Sequence, residues 1–258
     1  MQLKDKVIVV TGSTTGIGEA IAEESVAQGA RVLIHGRDSD RGKKLAAKLV
    51  DAVALHTDDL ADPEAPQRIV DAAVNAFGRV DGLVNNAACV VRSDLMTTDA
   101  ETFDRVMAIN VRAPMLLIGA VLPYLKEAQG SVVNIGSVNA YTGEPRMLAY
   151  SISKGALMTM SRNLANVLAH DRVRVNHFNV GWTITPNEQR LKVSEGLPED
   201  WHEHPDPEHV PSGRMTQPQE IARHVVFWLS DASVPISGSV IELEQHPIIG
   251  RNPLKEGN

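Results

Sequence analysis

Cysteine is almost missing from this chain. Cys89 is the single thiol in 258 residues, so no intramolecular disulfide can form and a reducing compartment is expected. A long hydrophobic run near the N-terminus is missing as well. The first apolar segment is only Val7–Val10, too short for a signal-peptide core or a membrane span, so the cytoplasm is the expected location and no membrane partner is expected. Excess positive charge is also lacking. The formal net charge is −7, which argues against nucleic acid as a partner and for ordinary solubility. There is no internal repeat, low-complexity tract or linker, and the length suits one large α/β domain or two small ones.

What the chain has instead is alternation. Short apolar runs at Val7–Val10, Val32–Ile34, Val53–Leu55, Leu83–Val84, Val132–Ile135, Val173–Phe178 and Val240–Leu243 read as strands. Amphipathic stretches near 17–28, 39–50, 64–77, 101–127, 150–169 and 218–230 read as helices. Strands rich in β-branched residues and alternating with helices imply an α/β fold, a Rossmann-like doubly wound parallel sheet with helices on both faces. A single domain over 1–258 is expected. Residues 187–212, rich in Pro, Glu and His with little strand character, read as an insertion over a substrate site, a lid.

Tyr150 and Lys154 stand four residues apart in a predicted helix, so both heads lie on one face. A phenol at its usual pKa of about 10 carries protons poorly at neutral pH. A fixed cation beside it favours the phenolate and makes it a usable acid or base. Alone, the pair also fits an exposed amphipathic stripe. Near the N-terminus, Thr11-Gly12-Ser13-Thr14-Thr15-Gly16-Ile17-Gly18 follows the first strand and opens a helix. Glycines there let the backbone approach a pyrophosphate, and the helix offers unpaired N–H groups to the anion. Strand, glycine turn and helix in that order point to a nucleotide site.

The TGxxxGIG turn combined with YxxxK resembles the short-chain dehydrogenase/reductase family over nearly the whole chain. Further positions match: Asp59-Leu60, Asn85-Asn86-Ala87, Asn110, Ser137, Gly181 and Thr185. The resemblance implies catalysis by Asn110, Ser137, Tyr150 and Lys154. Tyr150 would exchange a proton with a carbonyl or alcohol, and Lys154 would lower its pKa and hold the nicotinamide ribose. Ser137 would bond the reacting oxygen, and Asn110 would anchor a relay water. It implies cofactor contacts from Gly12, Ser13, Thr14, Gly16, Ile17, Gly18, Arg37, Asp59, Leu60, Asn86, Ala87, Tyr150, Lys154, Gly181, Thr183 and Thr185. It also implies a homotetramer packed through the helices at 101–127 and 150–169. Three departures put the pocket shape in question: Ala88 for the last Gly of NNAG, Val180 for Pro, and Glu244-Gln245-His246 for Asp-Gly-Gly.

Gly36 stands where an NAD enzyme of this family carries an acid, and Arg37 beside it can pair with a 2′-phosphate. NADP(H) is therefore favoured and NAD(H) is the alternative, since Asp38 can neutralise Arg37. Substrate contacts are expected from Asn139, Arg146 and Trp182, with Glu144, Cys89, Arg92 and the polar segment at 187–212 around them. Trp182 and Trp201 offer rings for stacking. This polar set suggests a small polar carbonyl or alcohol such as a sugar, polyol or cyclitol; a merely solvated face explains the segment equally well. No metal site is expected from His202, His204 and His209 in a proline-broken loop. The competing reading is a nucleotide-binding regulatory or scaffold protein on the same fold.

Overall fold

The computed structural model describes residues 1–249, and the remainder of the 1–258 unit lies outside the described residues. β1 (Val7–Val10) leads into α1 (Gly16–Ala27), β2 (Arg31–Gly36) into α2 (Ser39–Leu49), and β3 (Val53–Thr57) into α3 (Ala65–Phe77). β4 (Gly82–Asn85) is followed by α4 (Ala100–Met107), a π-turn at Ala108–Arg112, and α5 (Ala113–Ala128). β5 (Ser131–Ile135) precedes α6 (Asn139–Thr142) and α7 (Leu148–Val167). β6 (Arg174–Val180) precedes α8 (Pro186–Ser194) and α9 (Pro218–Leu229), and β7 (Val240–Leu243) closes the sheet.

The strands lie in the order β3-β2-β1-β4-β5-β6-β7 and every neighbouring pair is parallel. Strand order reverses between β1 and β4, and the crevice beyond the strand ends at that point is where such sheets bind ligands. The apolar strands serve both faces. Ile8 and Val10 pack with Ile21, Ile221 and Val225 from α1 and α9, whereas Val9 packs with Ile69, Leu117 and Val121 from α3 and α5. A period of two inside a continuous apolar run is what a sheet covered on both sides requires.

The helix expected at 101–127 is interrupted where it matters. In the π-turn, the Ala113 N–H bonds to the Ala108 carbonyl five residues back. Pro114 has no N–H for the Asn110 carbonyl, which favours the wider turn. The whole Ala100–Ala128 stretch is long and apolar enough to cross a membrane, but half of it is buried within this fold. Residues 187–212, outside the helices expected from the sequence, also carry helical structure. They contribute most of α8 and a 3₁₀ turn at Trp201–Glu203. Pro186 occupies the first turn of α8, where its missing N–H costs nothing, and the Thr185 hydroxyl accepts from the Glu188 N–H at 3.1 Å.

Candidate active site

The glycine turn is built by close approach of backbone to backbone. Gly12 and Gly16 have φ of +63° and +62°, the left-handed region that glycine enters freely. A Cβ on Gly12 would lie 2.8 Å from the Ala87 Cα, and one on Gly18 would collide with the Gly12 carbonyl and the Asn86 amide. Asn86 secures this contact by donating to the carbonyls of Thr11 and Gly12 at 2.9 and 3.1 Å. The Asn86 and Ala87 N–H groups both donate to the Thr11 hydroxyl. Ala88 does not adopt a positive φ, so its methyl brings no left-handed strain. α1 begins at Thr15 without a side-chain cap, unlike α2 and α4, which Asp38 and Asp99 cap. Its first N–H groups are left to an anion.

Around that turn the expected cofactor residues sort into two groups. Thr14 packs against Gly36, where a Cβ would stand 2.5 Å from the Thr14 hydroxyl, so an acidic side chain there has no room without a shift. Arg37 is exposed and close enough to Asp59 to help hold that carboxyl below its usual range, behind the larger effects of the Ala61 N–H and Arg105. Asp38 does not neutralise Arg37 as anticipated. It caps α2 and pairs with Arg41 at 3.1 Å. Two other expected cofactor residues turn their side chains inward. Ser13 is fully buried, its hydroxyl donating to the Val10 carbonyl and accepting from the His35 N–H, so its side chain braces the turn instead of facing a cofactor. Leu60 is a core side chain. A cavity of about 330 Å³ beside the turn is lined by Thr14, Thr15, Arg41, Lys44 and Arg190, adding cations the sequence reading missed. Their spacing from the turn in sequence gave no signal.

His35 was also missed. Its Nδ1 lies 3.4 Å from the Gly12 N–H and its Nε2 lies 3.2 Å from the Asp58 carbonyl. Burial pushes its pKa down to about 4. As a neutral ring it accepts from the glycine turn and donates to the β3 end.

At the adjoining strand ends, α7 carries Tyr150 and Lys154 on one face. The Ser137 hydroxyl stands close enough to the Tyr150 hydroxyl to lower its pKa, and it accepts from the Asn139 N–H at 3.2 Å. Lys154 is 2% exposed and donates to the Ile135 carbonyl at 2.8 Å. Asn110, inside the π-turn, donates to the Cys89 carbonyl and the Ser153 hydroxyl at 3.0 Å each and accepts from the Cys89 N–H at 2.7 Å. Ser153 in turn donates to the Tyr150 carbonyl. All four residues therefore meet at one place. The protonation balance differs from the expectation. Burial pushes the Tyr150 hydroxyl up to about 12, opposed by Ser137 and reinforced by the nearby Glu188 carboxylate. Burial also pushes Lys154 down to about 8. The ammonium sits 5.5 Å from the Tyr150 ring centre and is engaged by Ile135, so desolvation outweighs its pull on the phenol.

Beyond β6, the chain folds on itself. Glu244 accepts from the Trp182 and Gln245 N–H groups and fills the space that a side chain on Gly181 would need. Thr183 is buried and its hydroxyl donates to the Gly181 carbonyl at 3.3 Å, while the Thr185 methyl lies 3.3 Å from where a Gly16 Cβ would stand. Trp182 and Trp201, expected to offer rings to a substrate, each have one face taken. They stack on each other at 5.3 Å, with Lys192 5.5 Å from the Trp182 ring centre. Trp182 Nε1 donates to Glu188 at 2.9 Å, and Arg92 pairs with Glu195. Arg146 is exposed and linked through its backbone to Ser93. Among the described residues, no three His, Cys, Asp or Glu gather as metal ligands.

Residues 12–244 match the family model described as enoyl-(acyl carrier protein) reductase. The 3-oxoacyl-[acyl-carrier-protein] reductase of Thermotoga maritima is 32% identical, covering 95% of this chain and 98% of that protein. The chain belongs to the short-chain dehydrogenase/reductase family. Mouse L-fucose dehydrogenase is 33% identical over 88% of this chain and 83% of its own. The crystal structure of Gluconobacter frateurii L-sorbose reductase with NADPH and L-sorbose superimposes with a TM-score of 0.89, at 29% identity, covering 95% of this chain and 97% of that one. As a short-chain dehydrogenase/reductase, this protein is an oxidoreductase acting on CH–OH groups with a nicotinamide dinucleotide. The side-chain-free turn at Gly12 and Gly18 and the uncapped start of α1 fit the pyrophosphate of that cofactor.

Proposed function

We propose that this chain is a cytoplasmic, NADP(H)-dependent oxidoreductase for a small polar carbonyl or secondary alcohol, a sugar, polyol or cyclitol. One observation carries the catalytic reading: the Tyr150 hydroxyl and the Ser137 hydroxyl are neighbours at the strand ends, beside the glycine turn, with Lys154 buried in the same helix face. When bound, the nicotinamide dinucleotide supplies or accepts the hydride. Tyr150 gives a proton to the reacting oxygen or takes one from it, and Ser137 orients that oxygen with its hydroxyl. Lys154 uses one ammonium proton on Ile135 and has two more for the nicotinamide ribose. The Asn110 carbonyl, which Pro114 cannot cap, holds a relay water between Lys154 and solvent.

Arg41 and Lys44 around Thr14, Arg37 next to Gly36 in sequence, and the lack of room for an acid at Gly36 support the 2′-phosphate form over NAD(H). Glu188 beside Tyr150 supports a hydroxylated substrate. The sugar names of the mouse and Gluconobacter relatives point the same way. Residues 187–212 act as the substrate lid of a single domain. Exposed Met115 on α5 and Ile152 on α7 suit a homotetramer packed through those helices. A regulatory role without turnover gives no reason for four catalytic groups to meet. The test is a panel of sugars, polyols, steroids and acyl ketones with both cofactors, followed by nicotinamide absorbance. Turnover confined to hydrophobic ketones would overturn the polar-substrate reading, and equal efficiency with NAD would overturn the cofactor reading.

A further inference from the structure

Beneath the catalytic helix runs a seam of polar side chains that the proposed chemistry does not use. Asn85 Nδ2 donates to Asn134 Oδ1 at 2.8 Å, and Asn134 Nδ2 donates to the Ser161 hydroxyl at 2.8 Å. Ser161 Oγ lies 3.1 Å from His177 Nδ1, and His177 Nε2 lies 2.9 Å from Asn179 Oδ1. Asn134, His177 and Asn179 have no exposed surface and Ser161 has 1%. With Asn179 Oδ1 facing Nε2, the imidazole carries its proton there. The Ser161 hydroxyl donates to the Leu157 carbonyl at 2.7 Å and shares that proton with Nδ1.

The position of this seam is what matters. Ser161 lies seven residues after Lys154, on the same face of α7. It is tied to β5 through Asn134 and to β6 through His177. His177 and Asn179 press against Gly136, where any Cβ would collide with the imidazole. Gly136 stands between Ile135, whose carbonyl holds Lys154, and Ser137, the neighbour of Tyr150. Apolar contacts along α7 tolerate sliding, whereas a hydrogen bond buried without water does not. A slip of one residue moves a helix about 1.5 Å along its axis, enough to part Tyr150 from Ser137.

We infer that Ser161 and His177 form a buried clamp that sets the axial position of α7 on the sheet, and with it the meeting of Tyr150 with Ser137 and of Lys154 with the Ile135 carbonyl. Both are positioning residues, and the inference rests on the proposed roles of Tyr150 and Lys154.

The experiment uses the full chain labelled with ¹³Cζ-tyrosine, in which three tyrosines give three resonances and Tyr150→Phe assigns one. Ser161→Ala removes the hub with almost no change in volume, Ser161→Thr restores the hydroxyl, and His177→Asn serves as a second variant should Ser161→Ala fail to fold. Ser161→Ala, or His177→Asn in its place, is expected to move the Tyr150 titration midpoint by about half a pH unit or more. The same variant lowers kcat roughly tenfold for reduction of a small hydroxyketone with NADPH, with cofactor affinity held within about twofold. Ser161→Thr returns both toward wild type. A lowered melting temperature with an unmoved Tyr150 titration and unchanged kcat in either variant overturns the clamp. Full turnover by Tyr150→Phe instead overturns the catalytic reading, and the Tyr150 resonance still judges the clamp.

Discussion

The glycine turn between β1 and α1 keeps its shape through backbone geometry, whereas the 186–212 segment keeps its place through a few side chains. At the turn, Gly12, Gly18 and Asn86 leave no room for a single added carbon. At the segment, Trp182, Trp201, Val210 and Met215 make a small apolar cluster, tied down by Trp182–Glu188 and Arg92–Glu195. Under the proposed function the first region would recognise an invariant part of a cofactor, so its geometry can be rigid. The second would surround the variable substrate, and side-chain interactions allow it to be reshaped residue by residue.

A paired glycine substitution tests that contrast most severely. Gly18→Ala is expected to weaken cofactor binding by about a hundredfold or to prevent folding, because the methyl meets backbone oxygen and the Asn86 amide. Gly196→Ala faces open space at a φ of +97°, so it should cost only about 1 kcal/mol of stability and leave cofactor affinity intact. Titration with NADPH and urea unfolding of both variants read this out; equal effects would erase the distinction.

The buried histidines give a pH signature to the sheet side of the comparison. Burial lowers His35 and His177 to about 4, below their ordinary value of 6.5. The unfolded chain therefore binds more protons than the native one between these values, and stability falls as pH drops from 6.5 through 4. The loss is of order 3 kcal/mol per histidine at full protonation. Urea midpoints measured across that window should fall steeply, and His35→Asn should remove part of the slope. A flat profile would mean that neither ring is desolvated.

Smaller effects separate the two ends of the cleft. Glu188→Leu should lower the preference for a hydroxyketone over its deoxy analogue by about tenfold, with Glu188→Gln intermediate. Cofactor affinity should not change in either. Arg37→Ala should weaken NADP binding by about tenfold and leave NAD binding unaltered. An Arg37→Ala variant that holds NADP as well as wild type would remove the argument for the phosphate.

Sequence and structure agree where a residue type answers a backbone need. Val7–Val10, the glycines after it and the Tyr150–Lys154 spacing were legible because a buried strand, a left-handed turn and a shared helix face each demand particular residues. The π-turn at Asn110 was hidden inside a continuous amphipathic pattern, although Pro114 four residues on was a usable signal. α8 was hidden by its composition, because a cap at Thr185 and the Trp182–Trp201 stack, not an apolar stripe, hold it. Burial was the least legible property. Spacing could bring Lys154 near Tyr150, but only the packed site reveals that desolvation governs both groups and that Ser13 and Leu60 turn inward.

Turnover of a small hydroxyketone with NADPH by wild type and Tyr150→Phe tests the central claim most directly. Removing the hydroxyl should lower kcat by about a thousandfold while NADPH still binds with nearly wild-type affinity. A Tyr150→Phe enzyme that keeps wild-type turnover would show that the proton moves through another group.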